Sequence, residues 1–195
     1  MTIALMVDTF VDTPLLDARP LSSWHTKYKG EIIEAKDLAL QMGVKLPPIY
    51  VVEYQEDGSI AGCWMTGFGN RISLVRPRIE KMLSESFDRR TRVLDLLDVF
   101  VHEWGHCGLG LGHDESGVMA PAMDVKTDSP VDAYYSWERF NEMNSSHGAN
   151  LNLQVFLNYL ERYHSEVCLD LPRQKASGYK TFLEKICARS YQSAH

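Results

Sequence analysis

The stretch His102-Glu103-Trp104-Gly105-His106-Cys107-Gly108-Leu109-Gly110-Leu111-Gly112-His113, followed by Ser116-Gly117-Val118-Met119-Ala120-Pro121, decides how this chain is read. Two histidines at i and i+4 lie one helical turn apart, so both imidazoles leave one helix face and can meet at a single metal ion. Glu103, beside the first histidine, is placed to take a proton from an attacking water and pass it to a leaving amine. Zinc suits such a set: it accepts imidazole readily, and three protein ligands leave a fourth position open. His113 is the natural third ligand. Gly108, Gly110 and Gly112 lie between it and His106, and glycines end a helix at low cost and let the chain fold back.

The run ahead of the motif, Val93 to Val101, is too apolar for a surface helix, so the histidines emerge from a buried one. A buried histidine pair beside a glutamate is costly unless something compensates it. The same residues carry a resemblance. The H-E-x-G-H helix, the Gly-Leu-Gly-His return and a methionine turn at Met119 resemble the metzincin zinc metalloproteases, and within them the matrixins. The resemblance implies one catalytic zinc ion on His102, His106 and His113, Glu103 as general base, and Met119 beneath the metal without ligating it. It also implies endopeptidase activity on a peptide or protein substrate.

The family pattern H-E-x-x-H-x-x-G-x-x-H is exceeded here by one residue. Leu109 stands at its glycine position and Gly112 at its third-histidine position, while Gly110 to His113 keeps the G-x-x-H spacing. The extra residue is most simply Cys107 or Gly108. A continuing helix would be rotated by about 100° beyond it. A π-bulge or an early helix end at Gly108 would absorb the insertion. Asp114 is the fallback third ligand, and Glu138 or Glu142 on a later helix would be the third ligand of a gluzincin-type zinc hydrolase. Other readings of the whole are an inactive protease-like binding module and a zinc hydrolase of non-peptide amides.

With 195 residues, 45% of them hydrophobic and 24% charged, the chain suits one catalytic domain with a small appendage. A net charge of -6 and a pI near 5.6 argue against nucleic acid as a partner, since no basic stripe would displace counterions from phosphates. No apolar run reaches the length of a membrane span. The first residues, Met1 to Asp8, lack the basic start of an export signal, which makes the expected location cytoplasmic and the four cysteines reduced. Cys107 reads as a small core filler, and Cys168 and Cys187 as a possible bridge between C-terminal helices. Oligomeric state has no signature in the sequence.

In chain order, Ile3 to Val7 reads as a strand and Lys29 to Met42 as a helix stopped by Gly43, its apolar stripe formed by Ile32, Ile33, Ala35, Leu38, Ala39 and Leu40. Ile49 to Tyr54 is a strand, Glu56 to Ser59 a turn, and Ile60 to Thr66 its antiparallel hairpin partner. Arg71 to Val75 is a further strand closed by Pro77, with Arg76 and Arg78 as surface charges. The metzincin resemblance implies an edge strand above the cleft that pairs with an extended substrate, and Gly62 to Asn70 is the candidate for that rim. The motif helix starts near Asp88 to Thr91. Asp95, Asp98, His102 and His106 share one face of it, and Asp98 reads as reaching water or as orienting a histidine. Asp132 to Met143 is a helix with Tyr134, Trp137, Phe140 and Met143 inward. The metzincin resemblance implies that Ala120 to Met123 line the specificity pocket for the side chain just after the cleaved bond. Beyond Gly148, Leu151 to Val167 and Ser177 to Ala188 are amphipathic, the first packing through Leu153, Phe156, Leu157 and Leu160.

The expected fold is therefore α+β: a metzincin-like small mixed sheet of about four to five strands on two long helices, with C-terminal helices added. Residues 1–148 form the catalytic domain and 149–195 a helical extension packed on it.

Overall fold

The computed structural model describes residues 17–55, 58–67, 69–86, 88–115, 117–120 and 130–162. The expected Ile3 to Val7 strand, residues 121–123 of the specificity pocket, the Ser177 to Ala188 segment and the Cys168/Cys187 pair lie outside these.

The described residues form a mixed α+β fold with a four-stranded sheet. In chain order come β1 (Arg19–Pro20), α1 (Lys29–Gln41), β2 (Ile49–Val52), β3 (Ala61–Thr66), β4 (Gly69–Val75), α2 (Arg76–Glu85), α3 (Arg89–Leu109), α4 (Pro130–Asn144) and α5 (Leu153–Arg162), with short 3-10 turns at Leu21–Ser23 and Ser145–His147. The sheet order is β1-β2-β4-β3. β3 does not pair with β2, as a simple hairpin across residues 53–60 would require. It pairs antiparallel with β4, with Cys63 opposite Ile72, while β2 runs parallel to β4 on the other side, with Val51 opposite Leu74. Ile72, Ser73, Leu74 and Val75 are all buried, as a central strand covered on both faces demands. Among the described residues β3 is one edge of the sheet.

α1 turns its face Ile32, Ala35, Leu38, Ala39 and Met42 to the core, while Ile33 and Leu40 of the expected stripe are exposed. The bonds Val44 N–H to Ala39 O and Gly43 N–H to Leu40 O close its end, pairing carbonyls that the helix itself leaves free. α2 is not anticipated from the sequence. Pro77, expected to close a strand, sits in the first turn of this helix, where its missing N–H costs nothing.

α3 is the spine of the molecule. Its start is capped by Asp88, whose carboxylate accepts from Thr91 N–H at 2.7 Å. From Val93 to Gly105 almost every residue is buried, and the helix packs on α1, β3, β4 and α4. In α4, Ala133, Trp137 and Phe140 face the core, and Met143 is exposed. Residues 149–162 join the same core: Phe156 meets Trp137 edge-on at 4.6 Å between ring centroids, Asn141 exchanges two hydrogen bonds with the backbone of Leu151, and Asn152 N–H donates to Met42 O. Among the described residues no helix is long and apolar enough to cross a membrane.

Candidate metal centre

α3 delivers His102 and His106 to one face, and the chain beyond it brings His113 to the same point. His106 Nε2 lies 3.1 Å from His102 Nε2 and 3.2 Å from His113 Nε2. The ligand atoms of the three histidines all lie within 4.8 Å of one another, and among the described residues this is the group that could hold a metal ion. Asp114, Glu138 and Glu142 are not part of it.

Each ring on the helix is fixed from behind. A backbone carbonyl can only accept, so the nitrogen facing it must carry the hydrogen. His102 Nδ1–H donates to Val118 O at 2.6 Å, and His106 Nδ1–H donates to Leu111 O at 2.7 Å. In the neutral rings both Nε2 atoms therefore carry lone pairs, and these face each other at 3.1 Å. Such an approach is repulsive unless a cation lies between them. Burial first, and then the neighbouring His106 and His113, lower the pKa of His102 to about 4, against the Val118 hydrogen bond. A metal ion would fit the spacing of the ring nitrogens: nitrogens at zinc distance in a tetrahedron stand about 3.3 Å apart. The C-terminal end of α3, where His106 lies, also carries the partial negative charge of the helix dipole.

The return to His113 is made through a widened last turn. Gly110 N–H reaches both His106 O and Gly105 O, and Leu111 N–H reaches Gly105 O at 3.0 Å, bonds spanning four, five and six residues where a regular helix spans four throughout. Gly110 then takes φ 69°, a left-handed conformation suited to glycine, and the chain folds back to His113. The helix runs one residue beyond Gly108, and the widening does the rest.

Beyond His113, Asp114 N–H donates to Met119 O at 2.8 Å, and Ala120 N–H donates to Gly117 O across the turn that carries Val118 and Met119. This turn both aims His102, through Val118 O, and places the buried Met119 side chain against Gly105. Glu103 is buried and lines the same cleft as the three histidines. The cleft has a volume of about 810 Å³, with β3 and the residues just before it, Gly58 to Met65, along one wall and Leu111 along the other. Gly62, Cys63 and Met65 of the expected rim line it, and Asn70 donates its Nδ2–H to Cys107 O at the end of α3.

Three expectations are corrected here. Cys63 and Cys107 are not reduced thiols but a disulfide, with Cα atoms 5.5 Å apart. Cys107 does point away from the metal face, as its helical offset requires, but that direction leads to the edge strand and Cys63. Asp98 does not reach water. It is 5% exposed and accepts from Trp137 Nε1–H at 2.8 Å. Asp98 is also not what faces the ring nitrogens of the motif, whose partners are backbone carbonyls that sequence spacing could not identify.

Comparison of the chain with protein-family models, with curated proteins and with solved structures finds no match.

Proposed function

We infer that this protein is a zinc-dependent metalloendopeptidase of metzincin, matrixin-like type, with His102, His106 and His113 as ligands to one zinc ion and Glu103 as general base. The observation that carries the reading is the convergence of three imidazole Nε2 atoms in an open cleft that Glu103 also lines. Zinc bound there would acidify a water and polarise a peptide carbonyl. Glu103 takes the proton of the attacking water and returns it to the leaving amine, work suited to a carboxylate held within the cleft wall. β3, at the edge of the sheet formed by the described residues, offers backbone groups to an extended peptide, and Ile60, Met65 and Leu111 favour apolar side chains beside them. Retention of Glu103 counts against a binding module that has lost its chemistry, and the placement of Glu138 and Glu142 outside the histidine group counts against the gluzincin ligand set. The Cys63–Cys107 bond favours an oxidising compartment over the cytoplasm.

The test pairs zinc analysis with cleavage of a fluorogenic peptide library by wild type, Glu103→Ala and His113→Ala. The reading expects about one zinc per chain, cleavage lost in Glu103→Ala with zinc retained, and weakened zinc in His113→Ala. Folded, zinc-supplied wild type that binds no zinc would overturn it. Zinc binding with no cleavage of any peptide would leave a metal site without the protease.

A further inference from the structure

We propose that Asn70 and the Cys63–Cys107 disulfide are positioning residues for His113: together they clamp Cys107 and so hold the last turn of α3 in the wide register that returns His113 to the metal. The proposal rests on the metallopeptidase reading and deepens it.

The argument starts from the carbonyls at the end of the helix. In a regular helix Cys107 O would accept from Leu111 N–H, four residues on. Here Leu111 N–H is taken by Gly105 O, which leaves Cys107 O among the carbonyls a helix end cannot satisfy itself. Asn70, at the start of β4, donates its Nδ2–H to that oxygen. The Cys107 side chain is held by the same hairpin through its bond to Cys63 in the middle of β3. Cys107 Sγ also rests 3.4 Å from Arg71 O, a packing contact because a disulfide sulfur has no hydrogen to donate. Backbone and side chain of one residue are thus both tied to the sheet.

Two registers compete for the last turn. In the wide one, Leu111 N–H reaches back to Gly105, Leu111 O turns to accept from His106 Nδ1–H, and His113 Nε2 arrives 3.2 Å from His106 Nε2. In the regular one, Leu111 N–H would bond Cys107 O. Everything after it would then be rotated by about 100°, taking Leu111 O off His106 and His113 off the centre. Asn70 occupies the acceptor that the regular register needs, and the disulfide prevents Cys107 from turning toward it. None of the three belongs to the histidine group, and all act through His113.

The experiment measures zinc affinity by competition with a chromophoric chelator, and the visible spectrum of the cobalt-substituted protein, for Asn70→Ala, Cys63→Ser/Cys107→Ser and His113→Ala, and for Asn70→Ala and the paired Cys→Ser changes each placed in the His113→Ala background. Circular dichroism selects variants that fold. Asn70→Ala and the paired Cys→Ser variant are each expected to lose about 10- to 100-fold in zinc affinity, with cobalt spectra shifted toward that of His113→Ala. Neither change is expected to cost anything further once His113 is absent. Equal losses in both backgrounds would overturn the proposal, because the residues would then support the fold at large. Unchanged affinity in folded variants would overturn it too. Should the Cys→Ser pair fail to fold, Asn70→Ala with its double variant decides the matter. Wild type that binds no zinc removes the metallopeptidase reading and this proposal with it, an outcome distinct from wild type that binds zinc while the variants bind it equally.

Discussion

The thioether of Met119 lies against Gly105 so closely that a methyl group built on Gly105 would collide with Met119 Sδ. Gly105 sits on α3 between the two helical histidines, and Met119 sits on the turn whose Val118 carbonyl aims His102. The contact therefore sets the distance between the helix and the turn that orients its first histidine.

Gly105→Ala should destabilise the protein by about 1 to 2 kcal/mol: overpacking costs about 1 to 3 kcal/mol, partly offset by roughly 1 kcal/mol of better helix propensity. Urea denaturation measures it. Met119→Ala made in the Gly105→Ala background should cost clearly less than in wild type, because it removes the collision. Additive losses would mean that the two residues do not meet.

The metal-free protein should lose stability as pH falls from about 6.5 to about 4. Burial holds the folded pKa of His102 near 4, while the unfolded value is about 6.5. Between the two the unfolded chain binds a proton that the folded chain refuses, so stability rises with pH across the window and is fully present above it. The whole effect is on the order of 3 kcal/mol. Denaturant titrations at several pH values measure the slope, and His102→Gln should flatten it.

Trp137→Phe should cost about 1 to 3 kcal/mol, since it removes a hydrogen-bond donor from the buried Asp98 carboxylate while keeping an aromatic ring in the core. Asp98→Leu, which removes the acceptor of the Trp137 Nε1–H, should lower the cost of Trp137→Phe when the two are combined.

Glu138→Gln and Glu142→Gln should leave zinc affinity unchanged, because neither carboxylate belongs to the histidine group. A loss in either, read by chelator competition, would move the third ligand to α4.

Asp88→Ala should cost about 1 kcal/mol through loss of the cap on Thr91 N–H. As the site lies at the far end of α3, zinc affinity should stay as it was.

How much of this was legible in the sequence depended on how far apart the interacting residues lie. α1 and the start of α3 are local matters of period and capping, and the helix over Lys29–Gln41 and the cap at Asp88 stand where the sequence puts them. The histidine group was legible for the same reason: two members are fixed by helical spacing and the third by a short glycine-rich return. Strand pairing was not. The polar turn after β2 suits a hairpin, yet β2 and β3 both lie beside β4, because pairing is decided by burial of the whole sheet. Pro77 is compatible with both a strand end and a helix start, and the apolar spacing of Ile79 and Leu83, both buried in α2, was the signal that could have separated them. The Cys63–Cys107 bond and the Asn70 contact join positions 44 and 37 residues apart, and no local pattern encodes that a hairpin will swing over the end of α3.

His102 and His106 ride on a buried helix with their rings already aimed by backbone carbonyls, whereas His113 is exposed and sits on the loop that follows. An ion held by this group, as proposed, would sit on two ligands set in a buried helix and one exposed on a loop, so a chelator would gain its first hold from the His113 side of the cleft.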